Sequence, residues 1–198
     1  MSNRTLATPV ITPKISLQNR LYTADELMEI SKDDTHRYAL IQGELIVMAP
    51  AGYEHGDRAM SLGARMRIFA DDHDLGSVCA AETGFLLAAG PDTVLAPDVG
   101  FVRKERLPQG QMPSAYFPGP PDLAVEVISP NDKPIKVSDK VKLWLQYGTR
   151  LVWVLNARTK TVTAHRIGGS VRIFQVDELL DGEDVLVGFQ FPVSRLFR

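Results

Sequence analysis

Hydrophobic spacing changes period several times along this chain, and each change predicts an element. Thr23-Ala24-Asp25-Glu26 has the form of a capping box, and Leu27, Met28 and Ile30 behind it predict a short helix to Ser31. Two β-type runs lie between Arg37 and Met48 around Gln42-Gly43, a hairpin turn signal. Glu54 to His73 places Ala59, Leu62, Met66 and Phe69 on one helical face. Gly76 to Ala89 predicts a strand pair or one long strand containing Glu82, closed by Gly90-Pro91-Asp92. Thr93 to Val102 is a strand or strand pair interrupted at Pro97-Asp98, where proline marks a strand start or bulge.

Leu107 to Pro121 carries five prolines with Gly110 and Gly119, which predicts a surface loop that could flank a site. Leu123 to Ile128 is aliphatic apart from Glu126, the mark of a central strand covered on both faces. From Ile135 to Gln146 the stripe Val137, Val141, Trp144, Leu145 is helical, and Arg150 to Asn156 is another apolar strand. Thr161 to Arg166 reads as its antiparallel partner. The apolar residues from Val171 to Leu196 predict a packed extension rather than a tail. The order implies an α/β sandwich around a mixed sheet, with a flexible lead-in over 1–20 and one domain over 21–198.

Composition narrows the picture modestly. With 198 residues, 44% hydrophobic and 23% charged, the chain can bury one full core. A net charge of -2 gives no global nucleic-acid signal, although lysines and arginines concentrate in the second half. The single cysteine, Cys79, excludes an internal disulfide and reads as a small core residue. No apolar run approaches membrane-spanning length, so the expected compartment is cytoplasmic.

The candidate chemistry begins at Glu126. An ionised carboxylate inside an apolar strand costs several kcal/mol unless a cation or donor compensates it; the alternative is a strand-end glutamate that curls out to water. Asp98, at the mouth of a neighbouring strand, would set a second carboxylate beside it, and the two would repel unless they shared a hard divalent cation such as magnesium or manganese. Lys140 falls inside the apolar arc of the following helix, about 60° from Val137, and so faces the sheet. Either it serves that site or it snorkels, or pairs with Asp139 or Asp132. His55, in a helical first turn, is either a neutral imidazole positioning an oxygen or a partly exposed capping residue. Glu44, directly after the hairpin glycine, either points along the sheet towards the carboxylates or is solvated. No Walker-type glycine loop or Gly-x-Ser-x-Gly elbow is present.

Arg37-Tyr38-Ala39-Leu40-Ile41-Gln42-Gly43-Glu44-Leu45, His55, Ala96-Pro97-Asp98-Val99, Pro121 to Pro130, Asp139-Lys140 and Leu151 to Leu155 together resemble the Uma-two family of bacterial endonucleases, over roughly Leu21 to Phe197. That family is grouped with the restriction-endonuclease-like fold, whose signature is Pro-Asp followed by Asp/Glu-x-Lys. The resemblance implies that Asp98 is the signature aspartate and Glu126 the acidic member of the second element. Ile128 stands where the superfamily places lysine, and Lys140 on the next helix matches the displaced position. It further implies that Asp98, Glu126 and the main-chain carbonyl of Val127 hold Mg2+ or Mn2+, that Lys140 assists, that His55 and Glu44 are auxiliary, that DNA is the substrate, and that the protein is a homodimer. The alternatives are a non-cleaving nucleic-acid-binding protein on the same fold and an enzyme acting on another phosphodiester or small substrate.

Overall fold

The computed structural model describes residues 20–32, 36–109, 113–129 and 134–198, with side chains left undescribed at 134–136. The expected lead-in lies outside these residues except for Arg20. The chain runs through α1 (Ala24–Ile30), β1 (Arg37–Ile41), β2 (Glu44–Met48), α2 (Tyr53–Asp72), β3 (Gly76–Ala80), β4 (Phe85–Ala88), β5 (Thr93–Leu95), β6 (Val99–Arg103), β7 (Phe117–Pro118), β8 (Leu123–Ile128), α3 (Pro134–Gln146), β9 (Leu151–Asn156), β10 (Thr161–Arg166), β11 (Val171–Phe174), β12 (Leu179–Asp181) and β13 (Gln190–Pro192). The capping box closes at both ends: Thr23 Oγ1 accepts from the Glu26 N–H, and Glu26 Oε2 accepts from the Thr23 N–H. Gln42 and Gly43 take φ of 51° and 78°, the left-handed pair that a tight hairpin turn requires.

The main sheet has six strands in the order β11-β10-β9-β8-β6-β3, and β8 with β9 is its parallel pair. A second sheet runs β2-β1-β5-β4-β7, and β12 pairs with β13. Two readings from periodicity are thereby corrected. The segment 76–89 does form two strands, but β3 joins the main sheet and β4 the second, so they do not pair with one another. The same division separates β5 from β6, and Pro97-Asp98 is the crossing point between sheets. Within 107–121, Phe117 and Pro118 form β7, parallel to β4, and Phe117 packs against core residues, so this segment is more than a surface loop.

Both faces of the main sheet are covered, which is why β8 and β9 read as continuous apolar runs. On one face α2 lays Ala59, Leu62, Met66 and Ala70 against Val99, Phe101 and Val125, joined by Phe174, Leu180, Leu186, Phe189, Phe191 and Leu196 from the C-terminal extension. On the other, Val141 and Trp144 of α3 pack on Ala124, Val152 and Val154 and meet Phe85 and Leu95 of the second sheet. Gly63 lets α2 approach β6 closely: a Cβ there would meet Val99 Cγ2 at 3.1 Å. That close approach brings the first turn of α2 to the start of β6. Cys79 is partly buried against the core, with its Sγ–H donating to the Gly100 carbonyl at 3.4 Å and its thiol pushed up by burial.

Candidate active site

The site forms where β6 begins and β8 ends. The strands are antiparallel, with Val99 opposite Val125, so Asp98, in a bend before β6, lies beside Glu126. Proline at 97 has no N–H to give a ladder, and the register is broken there. The Asp98 N–H still donates to the Val125 carbonyl at 3.0 Å, while its carboxylate turns back so that Oδ2 accepts the Val127 N–H at 2.7 Å. The side chain thus supplies the acceptor that β6 would have offered had it run one residue further. From the other side His55 lies 2.8 Å from Asp98 Oδ1 through Nε2, and its Nδ1 is 3.1 Å from Ser129 Oγ. An ionised carboxylate only accepts, so the Nε2–H donates to it.

Glu126 projects from the face of β8 that α3 covers. Trp144 Nε1–H donates to Oε1 at 2.8 Å and Lys140 Nζ to Oε2 at 2.6 Å. Lysine and tryptophan four residues apart share one face of a helix, and this spacing lets α3 grip both oxygens at once. Asp98 and Glu126 are 3% and 6% exposed, so neither curls out to water. Lys140, with a side chain 31% exposed, keeps a path to solvent.

The charges of these groups are tightly linked. Burial pushes the Asp98 carboxyl up, but the His55 bond and charge, the Val127 N–H and the Lys140 ammonium outweigh it and hold Asp98 below its ordinary value. Glu126 goes the other way. Its burial raises it, the neighbouring Asp98 charge adds to that, and Lys140 and Trp144 offset the rise only in part. Burial opposes the charge on Lys140, yet the attraction of Glu126 and Asp98 keeps its ammonium above the ordinary lysine value.

Asp98, Glu126, Lys140 and His55 are therefore gathered in one cluster. Val127 joins it through its N–H. Glu44 does not: it is exposed at the turn end of the β1–β2 hairpin, whereas Arg37, at the other end of β1, is the hairpin residue that reaches Asp98. Of the alternatives for Lys140, its ammonium goes to Glu126 while Asp139 pairs with Lys142, and Asp132 lies outside the described residues. Sequence reasoning missed three residues. Trp144 was legible only as part of an apolar stripe, though its place four residues after Lys140 put it on the same face. Ser129 follows directly on the strand that carries Glu126. Arg37 stood out only as the first residue of the hairpin motif that carries the family resemblance. A cleft of about 1020 Å³, mainly apolar, is lined by residues of α1, α2, β3 and the second sheet, with Arg37, His55, Glu82 and Asp98 among them.

The mixed sheet covered by helices has the restriction-endonuclease-like fold, and here the lysine beside the two acids comes from the next helix rather than from the strand. The fold aligns with the crystal structure of "a putative nuclease belonging to DUF820" from Anabaena variabilis at a TM-score of 0.75 and 20% identity, covering 88% of this chain and 97% of that one. The model of the Uma2 family, described as "Putative restriction endonuclease", matches residues 24–194, and the chain belongs to that family. A search of curated proteins finds none that matches. No described helix is long and apolar enough to cross a membrane.

Proposed function

We propose that the protein is a divalent-metal-dependent endonuclease that hydrolyses DNA phosphodiester bonds at Asp98 and Glu126, with Lys140 assisting. One observation carries this reading: two buried carboxylates stand side by side on neighbouring strands, Asp98 raises the cost of ionising Glu126, and both draw on the one Lys140 ammonium. Such a pair is short of positive charge, which favours a hard cation. The Uma2 membership supports the same reading.

The donor set fits magnesium or manganese better than zinc. Among the described residues no group of three or more His, Cys, Asp and Glu side chains is gathered tightly enough to hold a metal by itself. A cation bound through Asp98 and Glu126 would fill its remaining positions mostly with water, which is how magnesium is commonly held, whereas zinc usually takes three or four protein ligands. The Val127 carbonyl is the neutral oxygen offered beside them, because the N–H and C=O of a strand residue face the same side and that N–H already meets Asp98. When bound, the cation supplies a polarised phosphate and a more acidic water.

The chain's own residues do the rest. His55 fixes the Asp98 carboxylate, and Ser129 in turn orients His55. Trp144 fixes Glu126. Lys140 holds a proton on Nζ at the edge of solvent, placed to steady negative charge that grows on the phosphoryl oxygens. The deciding assay is nicking of plasmid DNA by purified protein in Mg2+ or Mn2+, repeated with Asp98→Ala and Glu126→Ala. Metal-dependent nicking that both variants lose is the expected result; equal cleavage by all three proteins would assign the activity elsewhere. Ile128 at the usual lysine position favours the second reading, a DNA-binding protein that does not cut, and salt-sensitive binding without nicking would establish it.

A further inference from the structure

Arg37 is a second cation at this site, and neither the hydrogen-bonded cluster nor the fold accounts for it. Its side chain is 20% exposed and lines the cleft together with His55 and Asp98. Nε is buried and stands 2.6 Å from Glu82 Oε1, but its N–H is not aligned for a hydrogen bond. Nη2 is 3.9 Å from Asp98 Oδ1, too long for one. Glu82 is itself 54% exposed and held at φ 68° in the turn between β3 and β4. A guanidinium is a planar fork suited to two oxygens of one anion, and here its fork is poorly used. A half-exposed carboxylate is a weak counter-ion, easily exchanged for a better one.

The charges around it point the same way. The Arg37 charge opposes that of Lys140, and an anion held at Arg37 eases that repulsion. We infer that Arg37 holds a non-bridging oxygen of the DNA phosphate beside Asp98 in the cleft, with Glu82 as the resting counter-ion that the phosphate replaces. This rests on the nuclease reading for its substrate. No bond is made or broken in the exchange: one ion pair gives way to another. Arg37 is then a phosphate-holding residue, and Glu82 sets how readily it is released.

A purely structural Arg37–Glu82 pair and a phosphate-holding Arg37 differ in the sign of one variant. Binding of a short duplex is measured in EDTA, so that nothing is cut, across a series of salt concentrations. Arg37→Met is expected to weaken binding on the order of tenfold and to reduce the slope of log K against log salt by about one. Glu82→Gln is expected to tighten binding roughly threefold, because the competitor is gone. Arg37→Lys should recover the slope but not the full affinity. If both removals lower the melting temperature together and leave the slope unchanged, the pair is structural and the inference is overturned.

Inorganic phosphate separates this claim from the nuclease reading. Should the wild type bind no duplex, the nuclease reading falls, and the Arg37 Nε–H resonance of 15N-labelled protein decides the rest. A shift of that resonance with phosphate, larger in Glu82→Gln, keeps the anion site. No shift in either protein overturns it. DNA cleavage by a wild type whose binding slope Arg37→Met leaves unaltered would sink the Arg37 assignment alone.

Discussion

The two ends of β8 treat a buried carboxylate in opposite ways. At the first end Asp122, 3% exposed, accepts the Arg103 N–H and Arg106 Nη1–H, each at 2.9 Å on Oδ2, while its carbonyl takes the N–H groups of Arg150 and Leu151. Arg106 also bonds the Pro120 carbonyl and so clasps the segment entering the strand. One acid meets one guanidinium, and the charge is balanced. At the other end three acids, Asp98, Glu126 and Glu82, have two cations between them, and Arg37 stands nearer to Glu82 than to Asp98, from which it is 3.9 Å away. The comparison separates a carboxylate that holds the fold together from a pair kept short of positive charge. Burial alone does not distinguish them; the tally of neighbouring cations does.

The sharpest way to break this comparison is to remove the acids one at a time. Asp98→Ala and Glu126→Ala should each lower metal-dependent nicking by about a thousandfold or more if the cation site is the source of catalysis, while Asp122→Ala in the folded fraction should keep its rate per molecule. Urea denaturation should show the reverse. Asp122→Ala leaves an N–H and a guanidinium without their acceptor and should cost about 3 kcal/mol. Glu126→Gln should stay within about 1 kcal/mol of wild type, since the glutamine oxygen still accepts from Trp144 and Lys140 can turn to water. Equal losses at both ends would make Glu126 a structural acid like Asp122.

Stability against pH sharpens the difference further. Asp98 is held below its ordinary 3.8, so its contribution is complete above that value and disappears as pH falls through its lowered folded value. Glu126 is raised from 4.5, so the folded protein holds that proton more tightly than the unfolded chain, and stability declines as pH rises from 4.5 towards the raised value. Unfolding free energies measured across this range should lose the acid-side dependence in Asp98→Asn and the decline above 4.5 in Glu126→Gln. The smallest effect belongs to Ser129→Ala. By loosening the ring that orients Asp98 it should lower the nicking rate by about tenfold, with little change in stability. A loss as large as that of Asp98→Ala would place Ser129 in the chemistry itself.

Much of this arrangement was legible before any coordinates. An acid inside an aliphatic run, a Pro-Asp interrupting a strand and a lysine in an apolar helical arc each break a local pattern, and all three converge on one spot. Glu44, singled out only because it follows the turn glycine, is exposed at the far end of its hairpin, the solvated alternative, because a residue beside a turn glycine can lie at either end of a sheet. The strand pair expected over 76–89 failed for a related reason. Period-two alternation identifies strands but carries no information on which sheet each one joins.

What the sequence alone determined, then, is the set of elements and the residues out of keeping with them, since both follow from spacing along the chain. Tertiary structure decided the partners. It set His55 on Asp98 because Gly63 lets α2 close on Val99, and it turned Trp144 and Lys140 onto the two oxygens of Glu126. It also brought Arg37 to a site 61 residues away in the chain. Hydrogen bonds and charges act over a few ångströms in space, and which groups come that close is fixed by how sheets and helices pack, a quantity that no local stretch of sequence contains.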